Sequence, residues 1–274
     1  MPENKLTKNE IASLYRKLFK TYVIDSLKPY GFLKLKSTGM YRVTSEGVLQ
    51  IFHFVKNHYG TNEVDVSMTI YPVFQDFEYL VGEPGINFGY FKNGLNNSYF
   101  SFKNEKVGTK NFEEIRSLII DKGMPLFDKY TTIESLIEVY NNQSNEFKPP
   151  HSECWKYYGL ALLYAAKRDY KMSKNFFDKC ATAGKDVFVE YICSWFERIG
   201  LTYYTRIDEA KYQEYSQKSI DELFRISIKK NDHWAIKLAK KCEEVLNAIE
   251  SGKKNFNDIL EDNRTLTIEK LGLR

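Results

Sequence analysis

The sequence has few histidines and cysteines, two residue types that enzymes often use for catalysis and metal binding. Only four histidines occur in 274 residues, and the four cysteines, all in the second half, form no C-x-x-C pair. The chain also lacks a G-x-S-x-G segment and a glycine-rich phosphate loop. The sequence therefore predicts no catalytic residue, no metal site and no cofactor.

Long apolar runs and a strong excess of one charge are missing too. No segment reaches the roughly 20 apolar residues of a membrane-spanning helix, and residues 1–5 do not begin an apolar secretion signal. The 40 basic and 36 acidic residues give a net charge of +4, too balanced to favour nucleic acid as a partner. Cysteines with apolar helical neighbours are expected to be free buried thiols. We therefore expect a cytoplasmic protein with no membrane partner.

Strand patterns are concentrated between residues 39 and 72. Residues 64–71 alternate strictly between apolar and polar side chains, which is the period of a half-buried strand. Residues 48–55 are apolar on both faces, as expected of a strand that is covered on both sides. Together with residues 40–44 they predict an antiparallel meander with 48–55 in the centre. Residues 98–102 predict a fourth strand.

Helical spacing precedes this sheet and dominates the second half of the chain. A capping box at Thr7 and Glu10 predicts a first helix, and Asn111 is predicted to cap another. The polar, proline-ended segment 141–150 is the clearest linker. After it, helical periods predict helices at 152–166, 170–182, 186–199, 208–229 and 232–250. We therefore predict the α+β class, with an α+β sheet domain over 1–146 and an all-α helical domain over 150–274.

Four segments of the first domain resemble a bacterial family known as domain of unknown function 4304. They are residues 27–32, 41–42, 48–54 and 124–132, and the resemblance extends at most over residues 5–140. No catalytic residues are established for that family. The resemblance therefore implies a bacterial sheet-and-helix domain and assigns no active site.

The second domain resembles a tetratricopeptide repeat over residues 157–185. The large positions of the repeat fall on Tyr157, Leu160, Tyr164, Tyr170 and Phe177, and the small positions fall on Ala161, Ser173 and Cys180. Small residues are needed there because two antiparallel helices approach closely only at short side chains. One repeat cannot bury its own faces, so the resemblance implies that the other helices are degenerate repeats or a cap.

The repeat alignment also predicts a partner-binding stripe on the first helix. Repeats of this kind present their concave surface along that helix, and large aromatic side chains are effective interface anchors. The predicted partner-binding residues are Trp155, Tyr158, Leu162 and Ala166. The alternative is that later helices of the same domain bury this stripe.

Two other kinds of site have some support in the sequence. His53 and Asp65 could form an acid–base or metal site if the histidine pointed toward the neighbouring strand. Because His53 alternates with apolar residues, we favour a histidine that is satisfied by a neighbouring side chain. The first 36 residues carry an excess of lysine and arginine that would suit nucleic acid, but a solvated helix face is favoured.

Taken together, these patterns predict a bacterial protein that binds another protein and is not an enzyme. Within that class we favour an immunity or antitoxin-like role, in which the protein occludes a toxin. This preference is an analogy with other small bacterial proteins that lack catalytic residues. A nucleic-acid-binding protein using the basic N-terminal helix, and an enzyme with a His53/Asp65 site, are the alternatives.

Overall fold

The computed structural model describes residues 6–36, 39–57, 62–75, 84–93, 99–199, 209–227 and 233–273. The chain divides into two units: Met1–Pro149 together with Arg264–Arg274, and Pro150–Asn263. The predicted helical domain extended to residue 274, whereas residues 264–274 group with the first unit.

The first unit is built on an antiparallel sheet. Its strands are β1 (Leu33–Leu35), β2 (Gly39–Val43), β3 (Val48–Lys56), β4 (Glu63–Pro72), β5 (Gly85–Asn87) and β6 (Tyr99–Ser101). The spatial order is β1-β2-β3-β4-β5, and β6 also pairs with β4. The predicted meander with β3 in the centre is confirmed. β6 lies within the predicted fourth strand, whereas the equally short β1 and β5 were not predicted.

The helices of this unit are α1 (Lys8–Phe19), α2 (Asp25–Leu27), α3 (Phe88–Asn93), α4 (Glu105–Leu118), α5 (Met124–Lys129) and α6 (Ile133–Tyr140). Thr7 begins α1 with both hydrogen bonds of the predicted capping box. α4 begins earlier than predicted, because the Asn104 side chain accepts a hydrogen bond from the Val107 amide at 2.9 Å. The predicted cap, Asn111, instead donates to the Ser101 carbonyl at 2.7 Å.

One face of the sheet forms the apolar core beneath these helices. The Phe52 ring of β3 lies 4.6 Å from the Phe127 ring of α5, measured between centroids. Further along β3, the Phe54 ring lies 4.9 Å from the Phe19 ring of α1. These side chains belong to the even-numbered positions of β3, so the face that carries them is committed to packing.

Gln50 is the polar member of this core and is fully buried. Its side-chain amide donates to the Phe127 carbonyl at 2.6 Å and to the Tyr130 carbonyl at 2.9 Å. Its oxygen accepts a hydrogen bond from Arg42 Nε at 2.6 Å, and the Arg42 guanidinium also pairs with Asp128. The central strand is therefore tied to the end of α5 through one buried amide.

The second unit is helical in its described parts. Its helices are α7 (Glu153–Ala166), α8 (Tyr170–Ile199), α9 (Glu209–Ser216), α10 (Ile220–Ile226), α11 (Trp234–Glu250) and the first half of α12 (Phe256–Leu271). α8 is one helix where two were predicted, because residues 183–185 continue the helix between the predicted segments 170–182 and 186–199. α9 and α10 replace one predicted helix, because Ser219 and Glu222 form a capping box that begins α10. The sheet and these helices confirm the predicted α+β class.

Short side chains lie between α7 and α8. Ser173 Oγ donates to the Ala161 carbonyl at 2.8 Å, and Cys180 Sγ donates to the Cys154 carbonyl at 3.2 Å. Because the first contact joins the end of α7 to the start of α8, and the second joins the start of α7 to a later turn of α8, the two helices run antiparallel. All four cysteines are free and buried, as predicted.

The end of α12 belongs to the first unit. The Thr267 hydroxyl donates to the Gln75 carbonyl at 2.5 Å, and the Tyr140 hydroxyl donates to Gln75 Oε1 at 2.8 Å. The Lys36 ammonium donates to the Lys270 carbonyl at 2.8 Å. The last turns of α12 are therefore held to the segments that follow β4 and β1.

We expect Gln50→Leu to lower the free energy of unfolding of the first unit by about 2–4 kcal/mol, because it removes a fully buried amide that donates to the Phe127 and Tyr130 carbonyls and accepts from Arg42. Hydrogen exchange of peptides from β3, followed by mass spectrometry, would report the loss as faster exchange. Gln143→Leu changes an exposed glutamine of the same unit, and we expect it to stay within about 0.5 kcal/mol of the wild type. Equal exchange rates in the two variants would contradict this role of Gln50.

We expect Gly184→Ala to destabilise the second unit, although this change usually stabilises a helix by about 1 kcal/mol. A Cβ atom at Gly184 would lie 2.7 Å from the Ala235 carbonyl oxygen and 2.9 Å from Ala239 Cβ. The overpacking should cost about 1–3 kcal/mol. Urea unfolding followed by tryptophan fluorescence measures it, since all three tryptophans lie in this unit. Thr182→Ala, at an exposed position of α8, is the control and should not lower the urea midpoint. A urea midpoint of Gly184→Ala above that of the wild type would contradict the close approach of α8 to α11.

Candidate functional site

The predicted partner-binding stripe of α7 is not an open surface. Trp155, Tyr158 and Leu162 are 5%, 0% and 0% exposed, and Ala166 is partly exposed. The Trp155 ring stacks on the ring of Trp234 in α11, with centroids 5.3 Å apart. The expected exposure of this stripe is therefore corrected to burial, which is the alternative that the sequence left open.

The burial of α7 follows from its composition. Apart from its first turn, the helix is apolar on nearly every side, and residues 158–163 are all buried. A helix that is hydrophobic all round lies in the centre of its unit. The Tyr158 hydroxyl accepts a hydrogen bond from the Asn263 amide of α12 at 3.2 Å, so its polar end is satisfied inside the unit. The apolar composition of α7 is visible in the sequence, but the repeat alignment led to the prediction of an exposed stripe.

The alternative pair, His53 and Asp65, is not formed. In the register of β3 and β4, His53 lies opposite Ser67 and not opposite Asp65. His53 Nε2 makes a hydrogen bond with Thr69 Oγ1 at 2.9 Å, and Asp65 accepts one from Asn87 at 2.7 Å. The histidine is thus satisfied by a neighbouring side chain, as favoured from the sequence.

The second face of the sheet is buried around the first half of β3 and exposed at the far end of that strand, and Val43 of β2, opposite Leu49, is also exposed on this face. Leu49 and Ile51 on this face are fully buried, whereas Val55 is 47% exposed and Tyr99 is 49% exposed. We use the name open sheet face for seven positions at the exposed end: His53, Val55, Glu63, Asp65, Ser67, Asn87 and Tyr99. They share one face because side chains alternate along each strand.

Strand register arranges these side chains in rows. Val55 pairs with Asp65 across β3 and β4, and Asp65 pairs with Tyr99 across β4 and β6. One acidic side chain therefore lies between an aliphatic and an aromatic one, on three adjacent strands. His53, Ser67 and Asn87 form the next row toward the buried end, and all three are half-buried.

The open sheet face is acidic, although the chain carries a net positive charge. Glu63 and Asp65 project from it, and none of its seven positions is lysine or arginine. Glu63 accepts a hydrogen bond from the Asn57 amide at 3.4 Å, and Asp65 accepts one from the Asn87 amide. Among the residues that the structure describes, neither carboxylate has a cationic partner. Within the described ranges, these two negative charges therefore lack a direct ion-pair partner.

His53 does not offset this charge. Burial lowers the pKa of His53 to about 4, so the imidazole is neutral near pH 7. A neutral imidazole can form its hydrogen bond with the Thr69 hydroxyl and places no positive charge beside the carboxylates.

The basic excess of the N-terminal helix is partly neutralised within the first unit. Lys17 pairs with Glu105 at 2.7 Å, and Lys20 pairs with Asp25 at 3.0 Å. The Lys56 ammonium lies 3.8 Å from the centroid of the Tyr15 ring. These contacts are typical of a solvated surface and do not gather the cations into a groove for a polyanion.

The described part of the chain offers no cluster of three or more His, Cys, Asp or Glu side chains placed to hold a metal ion. Nor does any helix within it have both the length and the apolar composition that crossing a bilayer requires.

Comparison with known proteins assigns no relative to this chain. No family model, no curated protein and no solved structure matches it. The resemblances to domain of unknown function 4304 and to a tetratricopeptide repeat therefore stay predictions.

The sequence showed part of the open sheet face. The strict alternation of residues 64–71 placed Asp65 and Ser67 on the polar side of a half-buried strand. It did not show that Val55 and Tyr99 lie on either side of Asp65. That neighbourhood depends on strand pairing between separate segments of the chain.

We expect His53→Gln to make stability less sensitive to acid. The pKa of His53 is about 4 in the folded protein and about 6.5 in a free side chain. The unfolded chain therefore binds more protons, and the histidine destabilises the fold progressively as the pH falls from about 6.5 to about 4. Glutamine keeps an amide that can reach the Thr69 hydroxyl and does not titrate.

The measurement is the urea midpoint of both proteins across this pH range. The stability of the wild type relative to the variant should be constant above about pH 6.5 and should decrease below it. A difference that stays constant down to about pH 4.5 would show that His53 titrates like a free histidine.

Proposed function

We propose that this protein acts by binding another protein, with the open sheet face as the centre of the interface. The observation that carries the proposal is the outer row, in which Val55 and Tyr99 are each about half exposed beside the Asp65 carboxylate. Tyrosine provides large contact area with few rotatable bonds and a hydroxyl that can remain hydrogen-bonded. Aromatic side chains of this kind are enriched among the residues that dominate binding energy.

The size of the face is that of an interface centre. Three adjacent strands span about 10 Å, and the stretch of β4 from Glu63 to Ser67 is about 14 Å long. A stable complex buries about 800 Å² on each partner, so the remaining contact has to come from the surrounding surface. Centres of this size commonly contain the few residues whose truncation weakens binding most.

Within this class we propose an immunity or antitoxin-like role, in which the bound partner is occluded. Occlusion requires surface complementarity and no reaction, which agrees with the small number of histidines and with the lack of a G-x-S-x-G segment in the sequence. The preference over other protein-binding roles rests on analogy between small bacterial proteins. The nucleic-acid alternative is less favoured, because Lys17 and Lys20 are already paired with carboxylates.

Site-specific crosslinking followed by reconstitution tests the proposal. A photoreactive benzoylphenylalanine replaces Val55 on the open sheet face, or Val43, a similarly exposed control on β2 that lies about 20 Å further along the same side of the sheet. The full chain is expressed in the cells that naturally produce it and irradiated. We expect an adduct with one protein from position 55 and none with that protein from position 43.

The identified protein is then purified and its affinity for defined variants is measured by calorimetry. Tyr99→Ala should weaken binding by about 2 kcal/mol, which is roughly a 30-fold rise in Kd. Tyr90→Ala removes another exposed tyrosine of the first unit that lies outside the open sheet face, and we expect no change. Equal affinities of the two variants would refute the proposed interface. The occluding role further requires that the partner inhibits growth alone and that co-expression of this chain restores it.

A further inference from the structure

The Asp65 carboxylate is held in one orientation on the open sheet face. The Gly89 amide donates to Asn87 Oδ1 at 2.7 Å, and Asn87 Nδ2 donates to Asp65 Oδ1 at 2.7 Å. This chain of hydrogen bonds uses one carboxylate oxygen and orients the other. Among the residues that the structure describes, Asp65 Oδ2 has no donor. Asp65 is half-buried, and a carboxylate oxygen to which no described group donates can accept a hydrogen bond from a ligand.

The neighbours of Asp65 determine what kind of ligand would fit. Val55 and Tyr99 lie on the strands on either side, so their backbones are about 10 Å apart with the carboxylate between them. That spacing accommodates one flat side-chain group. Glu63 lies on the same face two residues earlier in β4, which adds a second negative charge about 7 Å away. The position therefore favours a cation that has both a planar face and an apolar stem.

We infer that the protein partner inserts an arginine side chain at this position. This inference rests on the proposed function, since it names the chemistry of the partner at the interface centre. The guanidinium would donate to Asp65 Oδ2, stack on the Tyr99 ring and lay its methylene stem against Val55. Arginine fits better than lysine because its planar fork matches a carboxylate and stacks on aromatic faces, whereas an ammonium is compact and strongly hydrated.

A divalent metal ion is a poorer occupant. Hard cations such as Ca²⁺ bind six to eight oxygen ligands, and Mg²⁺ needs near-octahedral coordination. Counting described contacts alone, Asp65 has one oxygen left for a ligand, and no metal-holding group of side chains occurs in this part of the chain. An arginine needs only the carboxylate and the aromatic face that are present.

The test uses the full chain and small arginine probes in methyl-detected NMR. N-acetyl-arginine methylamide is titrated while the Val55 methyl signals, assigned with Val55→Ala, are observed. Two matched probes replace the arginine, one by citrulline, which is its neutral isostere, and the other by lysine. We expect saturable shifts of the Val55 methyls with arginine, no saturation with citrulline and weaker binding of lysine.

Two variants separate the site from general electrostatic attraction. Asp65→Asn keeps the side-chain size and should weaken arginine binding at least tenfold, since a charge-assisted hydrogen bond is lost. Asp121→Asn removes an exposed carboxylate elsewhere in the first unit and should leave binding unchanged. The amide spectrum of each variant verifies the fold. Tyr99→Leu, which keeps the area apolar but removes the ring, should also weaken arginine binding.

Several outcomes would overturn the inference. They are equal shifts with citrulline or lysine, unchanged arginine binding by Asp65→Asn, and saturation of the same methyls by Ca²⁺ at lower concentration than arginine. A partner that binds Asp65→Asn as tightly as the wild type, but loses affinity for Tyr99→Ala, would also overturn it while the proposed function stands. If the wild type binds the arginine probe, but Tyr99→Ala binds the partner as tightly as the wild type does, the proposed interface would be refuted instead.

Discussion

The buried amide of Gln50 is the contact on which the first unit depends. It lies on the central strand, donates to the Phe127 and Tyr130 carbonyls and accepts from Arg42. A glutamine in an apolar core is tolerated only when its polar atoms are satisfied, so its partners are fixed in position as firmly as it is. The end of α5 therefore cannot move relative to β3 without leaving buried polar groups unsatisfied. The aromatic packing of Phe52 on Phe127 adds an apolar contact between the same two elements.

Because the helical core occupies one face of the sheet, any binding by the sheet has to use the other face. That second face is buried at the end where β4 leads to Gln75, which is hydrogen-bonded to Tyr140 and Thr267. At the opposite end Val55 and Tyr99 stay exposed. The polar positions of β4 between these ends are half-buried, and their hydrogen bonds with His53 and Asn87 hold them in place. The open sheet face is thus built on paired strands, which position side chains more exactly than loops do.

The second unit shows how close packing removes a surface. Gly184 lets α8 approach the backbone of α11, and Ser173 and Cys180 let α8 approach α7. With both neighbours this close, α7 is enclosed, and its aromatic side chains become core. Trp155 stacks on Trp234, and the Tyr158 hydroxyl finds a donor within the same unit. Aromatic residues at helical spacing are therefore a signal of either an interface or a core, and the number of helices that pack on them decides between the two.

The sequence by itself determined the local features of this protein. Thr7 with Glu10 begins a helix, and residues 64–71 keep Asp65 and Ser67 on the face opposite Val64 and Val66, because caps and side-chain alternation depend only on nearby residues. The tertiary structure alone decided that Tyr99 pairs with Asp65, that Asn87 orients its carboxylate, and that Trp234 buries Trp155. Such neighbours come from distant segments, and their pairing is selected by competition between all the surfaces that could pack together. The pattern within one segment does not show which distant segment it will pair with. The position of Asp65 between Val55 and Tyr99 can therefore be seen only in the folded chain.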